Sequence, residues 1–297
     1  MKLAFLTMVW QDYWLLQKWV EHNEKVVPRR QLYVLNHGGD PEVDRIAEGC
    51  NVMHIPRDGV TIDLTRRRWD LVAGVTNGLQ AFFDLVICTD VDELIVTADP
   101  DGNLGDYLAA RDFETEALSP VGLNLMPSRE EDAPEDAPVL AQFPHALLSA
   151  RYTKPCITQR PVTYTIGGHG LIGGRFEIDP NLLLYHLHYV TPDYKDRMAA
   201  RQDIVREGKE RNERGETNVD VPNRFWINWS RPNYTRDKEF RRYDEAEEMD
   251  VTGGFQACAD KLNAAVRNRG RKMLVKPAAL EPEGIKVEVP KALRGVI

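Results

Sequence analysis

Asp84-Leu85-Val86-Ile87-Cys88-Thr89-Asp90-Val91-Asp92-Glu93-Leu94-Ile95-Val96 joins two short apolar runs through a pair of carboxylates. The first run, Leu85 to Cys88, is short and partly β-branched, the pattern of a buried strand. Asp90 and Asp92 follow with one residue between them, so both fall at the carboxyl edge of a sheet. Open α/β sheets bind ligands at that edge. Two hard oxygen ligands there suit a divalent cation that also holds phosphate oxygens. The alternative is a solvated pair of strand-end aspartates. Asp99-Pro100-Asp101 has the same triplet form but reads as a turn, so the strand before Asp90 is what raises the signal.

Outward from this stretch the chain alternates. Residues 3 to 9 read as a strand, and Leu15, Leu16, Trp19, Val20 and Val26 then mark one helical face that Pro28 ends. Gln31 to Leu35 is a second strand, followed by the turn-forming Asn36-His37-Gly38-Gly39-Asp40. Asp40-Pro41 has the form of a helix cap and first helical residue. Asn51 to Ile55 is a third strand, and Leu64, Arg68, Val72, Val75, Leu79 and Phe82 keep helical spacing up to the strand before Asp90. This β-α-β-α-β-α-β order predicts an α/β fold with a mixed, mainly parallel central sheet flanked by helices. Further on, Ala117 to Leu125 and Asn181 to Val190 read as strands, and residues 128 to 138 as an acidic, proline-rich loop. A charged helix runs from Pro192 to about Glu210, and Asp260 to Val275 is a basic amphipathic stretch. The expected organisation is a catalytic domain over 1–210 and a mainly helical C-terminal extension over 211–297.

The 297 residues are 42% hydrophobic and 28% charged, which suits an ordinary soluble core. A formal net charge of -8 leaves no general basic footprint, so no nucleic-acid partner is expected. Cys50, Cys88, Cys156 and Cys258 form no C-x-x-C pair, which argues against a zinc cluster or a disulfide framework and fits a reducing compartment. No apolar run reaches the ~20 residues of a transmembrane segment. The first ten residues lack a cleavage site and read as a strand, so a cytoplasmic protein is expected.

The segment Thr89-Asp90-Val91-Asp92-Glu93-Leu94, behind its strand, resembles the Asp-x-Asp motif of GT-A-fold glycosyltransferases, in the bacterial family-2-related branch. The resemblance is diffuse over residues 1 to 200 and sharpest at 84–96 and 184–197. It implies a metal-dependent glycosyltransferase, of inverting type, that moves a sugar from a nucleotide-diphosphate sugar to a saccharide or glycoconjugate acceptor. Asp90 and Asp92 would be the metal ligands, and the ion would offset charge on the departing nucleoside diphosphate. A late histidine completes such sites. Here His188 is preferred, with His186 as the alternative, and the helix carrying Lys195 and Arg197 follows. A mixed carboxylate and imidazole set favours manganese over magnesium.

The resemblance also points to Asp12 and Asp40 for nucleotide contacts, together with Asp90. Asp40 has the plain alternative of a helix cap. Among Arg66, Arg67 and Arg68, which point about 100° apart on a helix, Arg68 shares the stripe of Val72 and Val75 and is the one expected to reach phosphate. His169, in Gly167-Gly168-His169-Gly170, and Glu131 are the candidate catalytic residues. Glu130, Glu177 and Asp179 are weaker candidates for the base, and a retaining mechanism stays open. Phe225, Trp226 and Trp229 would stack on a sugar, meet a membrane surface in peripheral association, or pack a helix. Two rival functions remain. A sugar-phosphate nucleotidyltransferase would carry a glycine-rich basic loop after the first strand, where Trp10-Gln11-Asp12-Tyr13 stands instead. A non-catalytic binding module would keep the fold without the metal.

Overall fold

All seven residues of β1 (Leu3–Val9) and all four of β4 (Leu85–Cys88) are buried. Such unbroken apolar strands belong in the middle of a sheet covered on both faces. The computed structural model describes residues 1–57, 64–128, 137–214, 236–276 and 284–297. Between β1 and β4 come α1 (Tyr13–Asn23), β2 (Leu32–His37), α2 (Pro41–Ile46), β3 (Asn51–Ile55) and α3 (Leu64–Leu79). β3, β2, β1 and β4 lie side by side, all parallel, with Phe5 opposite Leu32 and Leu6 opposite Cys88. The alternation read from the sequence is therefore present.

The chain continues as β5 (Glu93–Thr97), α4 (Leu104–Ala110), β6 (Ala117–Leu125), α5 (Val139–Gln142), β7 (His145–Leu148), β8 (Ile157–Thr158), β9 (Gly170–Ile172), β10 (Phe176–His186) and α6 (Tyr194–Glu213). After α6 come α7 (Arg236–Glu245), β11 (Glu247–Glu248), α8 (Gln256–Ala265), β12 (Val266–Arg269), β13 (Lys272–Val275) and β14 (Ile285–Glu288). Among the described residues eleven strands form one mixed sheet, parallel over most of its paired residues. β8 bridges β4 to β6. β10 runs parallel to β6 and antiparallel to β5, with His186 opposite both Asn124 and Glu93.

Two expectations need correction. The strand expected over 181–190 begins at Phe176 and ends at His186, leaving His188 in the following turn. The stretch 260–275 is not one amphipathic element: α8 ends at Ala265, and β12 and β13 form a hairpin that adds to β9. Met273 and Val275 alternate with period two, which is strand spacing. The described part of 211–297 carries the helices Arg236–Glu245 and Gln256–Ala265 together with four short strands. Ile285 and Val287 point inward from β14, which pairs with β7 in the main sheet. All four cysteines are free thiols. No helix among the described residues is long and apolar enough to cross a membrane.

Candidate active site

The strand directions bring five segments to one edge. β1 ends before Asp12, β4 before Asp90, β6 reaches Asn124 one residue before its end, β10 ends on His186, and β5 starts there at Glu93. The Asp90–Asp92 turn is closed by the Glu93 amide donating to the Asp90 carbonyl at 3.0 Å. The Leu187 amide donates to the Asp92 carbonyl at 2.8 Å, which pins the end of β10 against it.

Two cations hold Asp90. The Arg68 guanidinium from α3 pairs with Oδ1, and the Lys154 ammonium lies 2.5 Å from Oδ2. The same ammonium is 2.6 Å from Glu93 Oε1, and its side chain is only 5% exposed. Burial raises the Asp90 carboxyl, but Lys154 and then Arg68 outweigh it and hold it at about 2. Burial dominates at Glu93 and pushes it up to about 7 against the pull of Lys154. Lys154 stays charged, because Asp90 and Glu93 more than offset its own burial. Nothing periodic marks this lysine in the sequence. Arg66 and Arg67 are exposed, so only the expected member of the arginine triplet faces inward.

Lys154 is delivered by a close crossing. A Cβ on Gly122, in β6, would lie 2.3 Å from the Tyr152 carbonyl carbon and 2.4 Å from the Thr153 nitrogen. Only a glycine lets that segment lie flat on β6. Thr153 Oγ1 accepts the Gly122 amide at 3.1 Å. The crossing stacks Tyr152 on His186, with ring centroids 3.6 Å apart and planes 17° apart.

Asp92 faces both candidate histidines. Its Oδ2 is 3.4 Å from His186 Nε2 and 3.6 Å from His188 Nδ1. The orientation of His186 is fixed from behind. Asn124 Nδ2 donates to the Glu239 carboxylate at 3.1 Å, so Asn124 Oδ1 must be the atom 2.7 Å from His186 Nδ1. His186 therefore donates from Nδ1 and presents Nε2 to Asp92. Burial pushes His188 down to about 3 and keeps it neutral. Burial opposes ionisation of Asp92 as well, but His186 and then His188 hold its carboxyl well below the usual range.

These residues fit a divalent ion. Ligand atoms of Asp90, Asp92 and Glu93 gather within 4.8 Å of one another. The oxygens of Asp90 and Glu93 are already engaged by Arg68, Lys154 and the Asp90 amide. Asp92 is the carboxylate turned to imidazole nitrogen. Separations of 3.4 and 3.6 Å are long for hydrogen bonds. Two ligands each about 2.1 Å from one ion sit roughly 3.0 to 3.4 Å apart, close to what is seen.

Asp12 joins the site through α6. Arg197 Nε donates to its Oδ1 at 2.6 Å. Burial raises the Asp12 carboxyl, while Arg197 and then Arg201 pull it back. Arg197 is 9% exposed, and its Nη2 has no hydrogen-bond partner among the described residues. Arg201, one turn further along α6, was not singled out from the sequence. Asp40 caps α2, accepting the Glu42 amide on one oxygen and the Tyr13 hydroxyl on the other. The cap read from the sequence is thus present.

His169 donates from Nδ1 to the Arg151 carbonyl at 2.7 Å, leaving Nε2 as the acceptor. Burial and then Lys154 push it down to about 4, which makes it a weak base. Its loop is fixed by Trp69: a Cβ on Gly168, where φ is +69°, would lie 2.3 Å from that ring. Asp179 and Glu177 are excluded from the site. They pair with Arg111, and Asp179 lies seven residues before His186 on β10, roughly 20 Å away at strand rise. Glu130, Glu131, Phe225, Trp226 and Trp229 lie outside the described residues.

No family model matches the chain. No curated protein matches it either. Among solved structures it is similar to mannose-1-phosphate geranyltransferase from Thermus thermophilus, at 13% identity and a TM-score of 0.29. The match covers 73% of this chain and 66% of that one, so the chain spans just under two thirds of that protein's length. A likeness of this size carries no argument about chemistry.

Proposed function

We propose that the protein is a metal-dependent glycosyltransferase that moves a sugar from a nucleotide-diphosphate sugar to an acceptor hydroxyl, in polysaccharide or glycoconjugate synthesis. The observation that carries this reading is the convergence of Asp92 with His186 and His188 at 3.4 and 3.6 Å, on the edge where α/β sheets take ligands. Mn²⁺ or Mg²⁺ held there by Asp92 and the histidines would stabilise charge on the leaving diphosphate. Arg197 supplies a buried guanidinium with one nitrogen unpaired among the described residues, suited to a phosphate oxygen. Asp12 orients that guanidinium and is the acid placed to meet the nucleoside. Arg68 and Lys154 fix Asp90 and keep the buried carboxylates compensated. His169 lines the acceptor side as a hydrogen-bonding contact.

The test is calorimetry with uridine and guanosine diphosphate, with and without Mn²⁺. Metal-dependent binding should vanish in Asp92→Asn and persist in Asp99→Asn, whose triplet is a turn. Binding indifferent to both Mn²⁺ and Asp92→Asn refutes the reading, and no nucleotide binding at all favours the non-catalytic module. A sugar-phosphate nucleotidyltransferase is the second reading. Lys154, buried beside Arg68, favours it, because two fixed cations suit attack at a triphosphate. Pyrophosphate release from a nucleoside triphosphate and a sugar phosphate would select it. Slow metal-dependent hydrolysis of a nucleotide-sugar would select the transferase.

A further inference from the structure

We propose that the outward face of the three-stranded sheet β12-β13-β9 docks on an anionic phospholipid surface. The pairing register sorts the side chains. Val266 opposite Val275, and Met273 opposite Leu171, point to the core, where Val275 and Leu171 are fully buried. Arg267 opposite Leu274, and Arg269 opposite Lys272, which in turn faces Ile172, therefore point away from it. That face is basic and partly aliphatic. Residues 261 to 276 hold six cations and no acid, in a chain of net charge -8. Arg269, Arg271 and Lys272 are exposed and make no ion pair among the described residues. Leu274 and Ile172 are half-buried yet stand outside the core cluster.

A cavity of about 370 Å³ opens at the hairpin tip, with Glu116, Gly173, Arg175, Arg271 and Lys272 in its lining. Its single carboxylate already accepts the Arg175 amide at 2.6 Å, so cations dominate what it offers a headgroup phosphate. Clustered cations with interleaved aliphatic side chains are the chemistry of binding to anionic lipid. The hairpin docks β13 on β9, which starts one residue after His169. Docking would therefore set the mouth of the candidate site toward the bilayer. That consequence rests on the proposed function; the docking does not.

The full chain should co-sediment with phosphatidylcholine vesicles carrying about 30% phosphatidylglycerol and not with phosphatidylcholine alone. R269S/R271S/K272S should lose on the order of a hundredfold in affinity, taking roughly fivefold for each basic residue near the surface. Raising salt from about 0.1 to 0.5 M should weaken binding in the same direction. The substituted residues are exposed, so the unfolding transition and nucleotide binding should stay as in the parent. K18S/K25S/R45S, removing cations elsewhere, should bind as the parent does. Equal binding to neutral vesicles, no binding to anionic ones, or indifference to R269S/R271S/K272S overturns the proposal. Competition by millimolar inorganic phosphate that abolishes vesicle binding would also overturn it, by identifying a soluble phosphate ligand.

Discussion

Lys154→Met removes an ammonium that lies 2.5 Å from Asp90 and 2.6 Å from Glu93 in a site almost closed to water. Methionine keeps most of the side-chain length, so the change tests charge more than packing. Breaking a buried ion pair from one side typically costs about 3–5 kcal/mol, because a desolvated charge is left behind. Two features place this case near the lower figure. Glu93 already sits at about 7, so it can take a proton at neutral pH with little penalty. Asp90 keeps Arg68. A loss of about 3 kcal/mol lowers Tm by roughly 6–12 °C in a chain of a few hundred residues. The variant also frees a carboxylate oxygen beside Asp92, so Mn²⁺ should return part of the loss. At a hundredfold excess over Kd the return is about 2.7 kcal/mol. Scanning calorimetry of both proteins, in EDTA and in Mn²⁺, reads both effects. A variant melting within about 2 °C of the parent in EDTA, or gaining no more from Mn²⁺ than the parent does, refutes the account of Lys154.

Asn124→Leu should weaken Mn²⁺ binding roughly 10- to 100-fold through loss of the His186 orientation. Glu239→Gln, which can still accept from Asn124, should lose much less; equal losses in a Mn²⁺ titration would deny that the hydrogen-bond chain matters. Asp90 governs an acid limb of stability. Its folded value of about 2 lies below its ordinary 3.8, so the unfolded chain binds more protons between them. The contribution is present above pH 3.8 and lost as pH falls toward 2, roughly 2 kcal/mol in all. Urea unfolding between pH 5 and 2.5 should show a steeper decline in the parent than in Asp90→Asn; parallel declines would rule this out.

The N-terminal half was legible because its signals are local. Strands 3–9, 51–55 and 117–125 appear with the bounds the pattern suggests. Arg68 meets Asp90, as its place on the helical stripe suggested, and His186 and His188 meet Asp92, as the resemblance implied. What stayed hidden depends on distant pairing. Lys154 is one lysine beside a proline, 64 residues from its partner. Glu239 reaches Asn124 across 115 residues. A signal did exist for Asn124, a polar residue inside a nine-residue strand that is buried throughout. Arg197 and Arg201 also share one helical face, but in so charged a helix that spacing reads as solvation. The 260–275 stretch was misread because helical apolar spacing passes into strand alternation without a proline between.

Gly122 ties the two halves of the site to a single methyl-sized gap. The backbone that crosses it carries Tyr152 to one pole and Lys154 to the other, so neither pole can drift without its twin. A Gly122→Ala protein would therefore be repaired from a distance. Suppressors restoring its activity should cluster in residues 149–154, where slack can be regained, and not among the acidic groups whose failure they cure. For anyone redesigning this protein, that silent position sets how far the cationic and imidazole ends can be retuned separately.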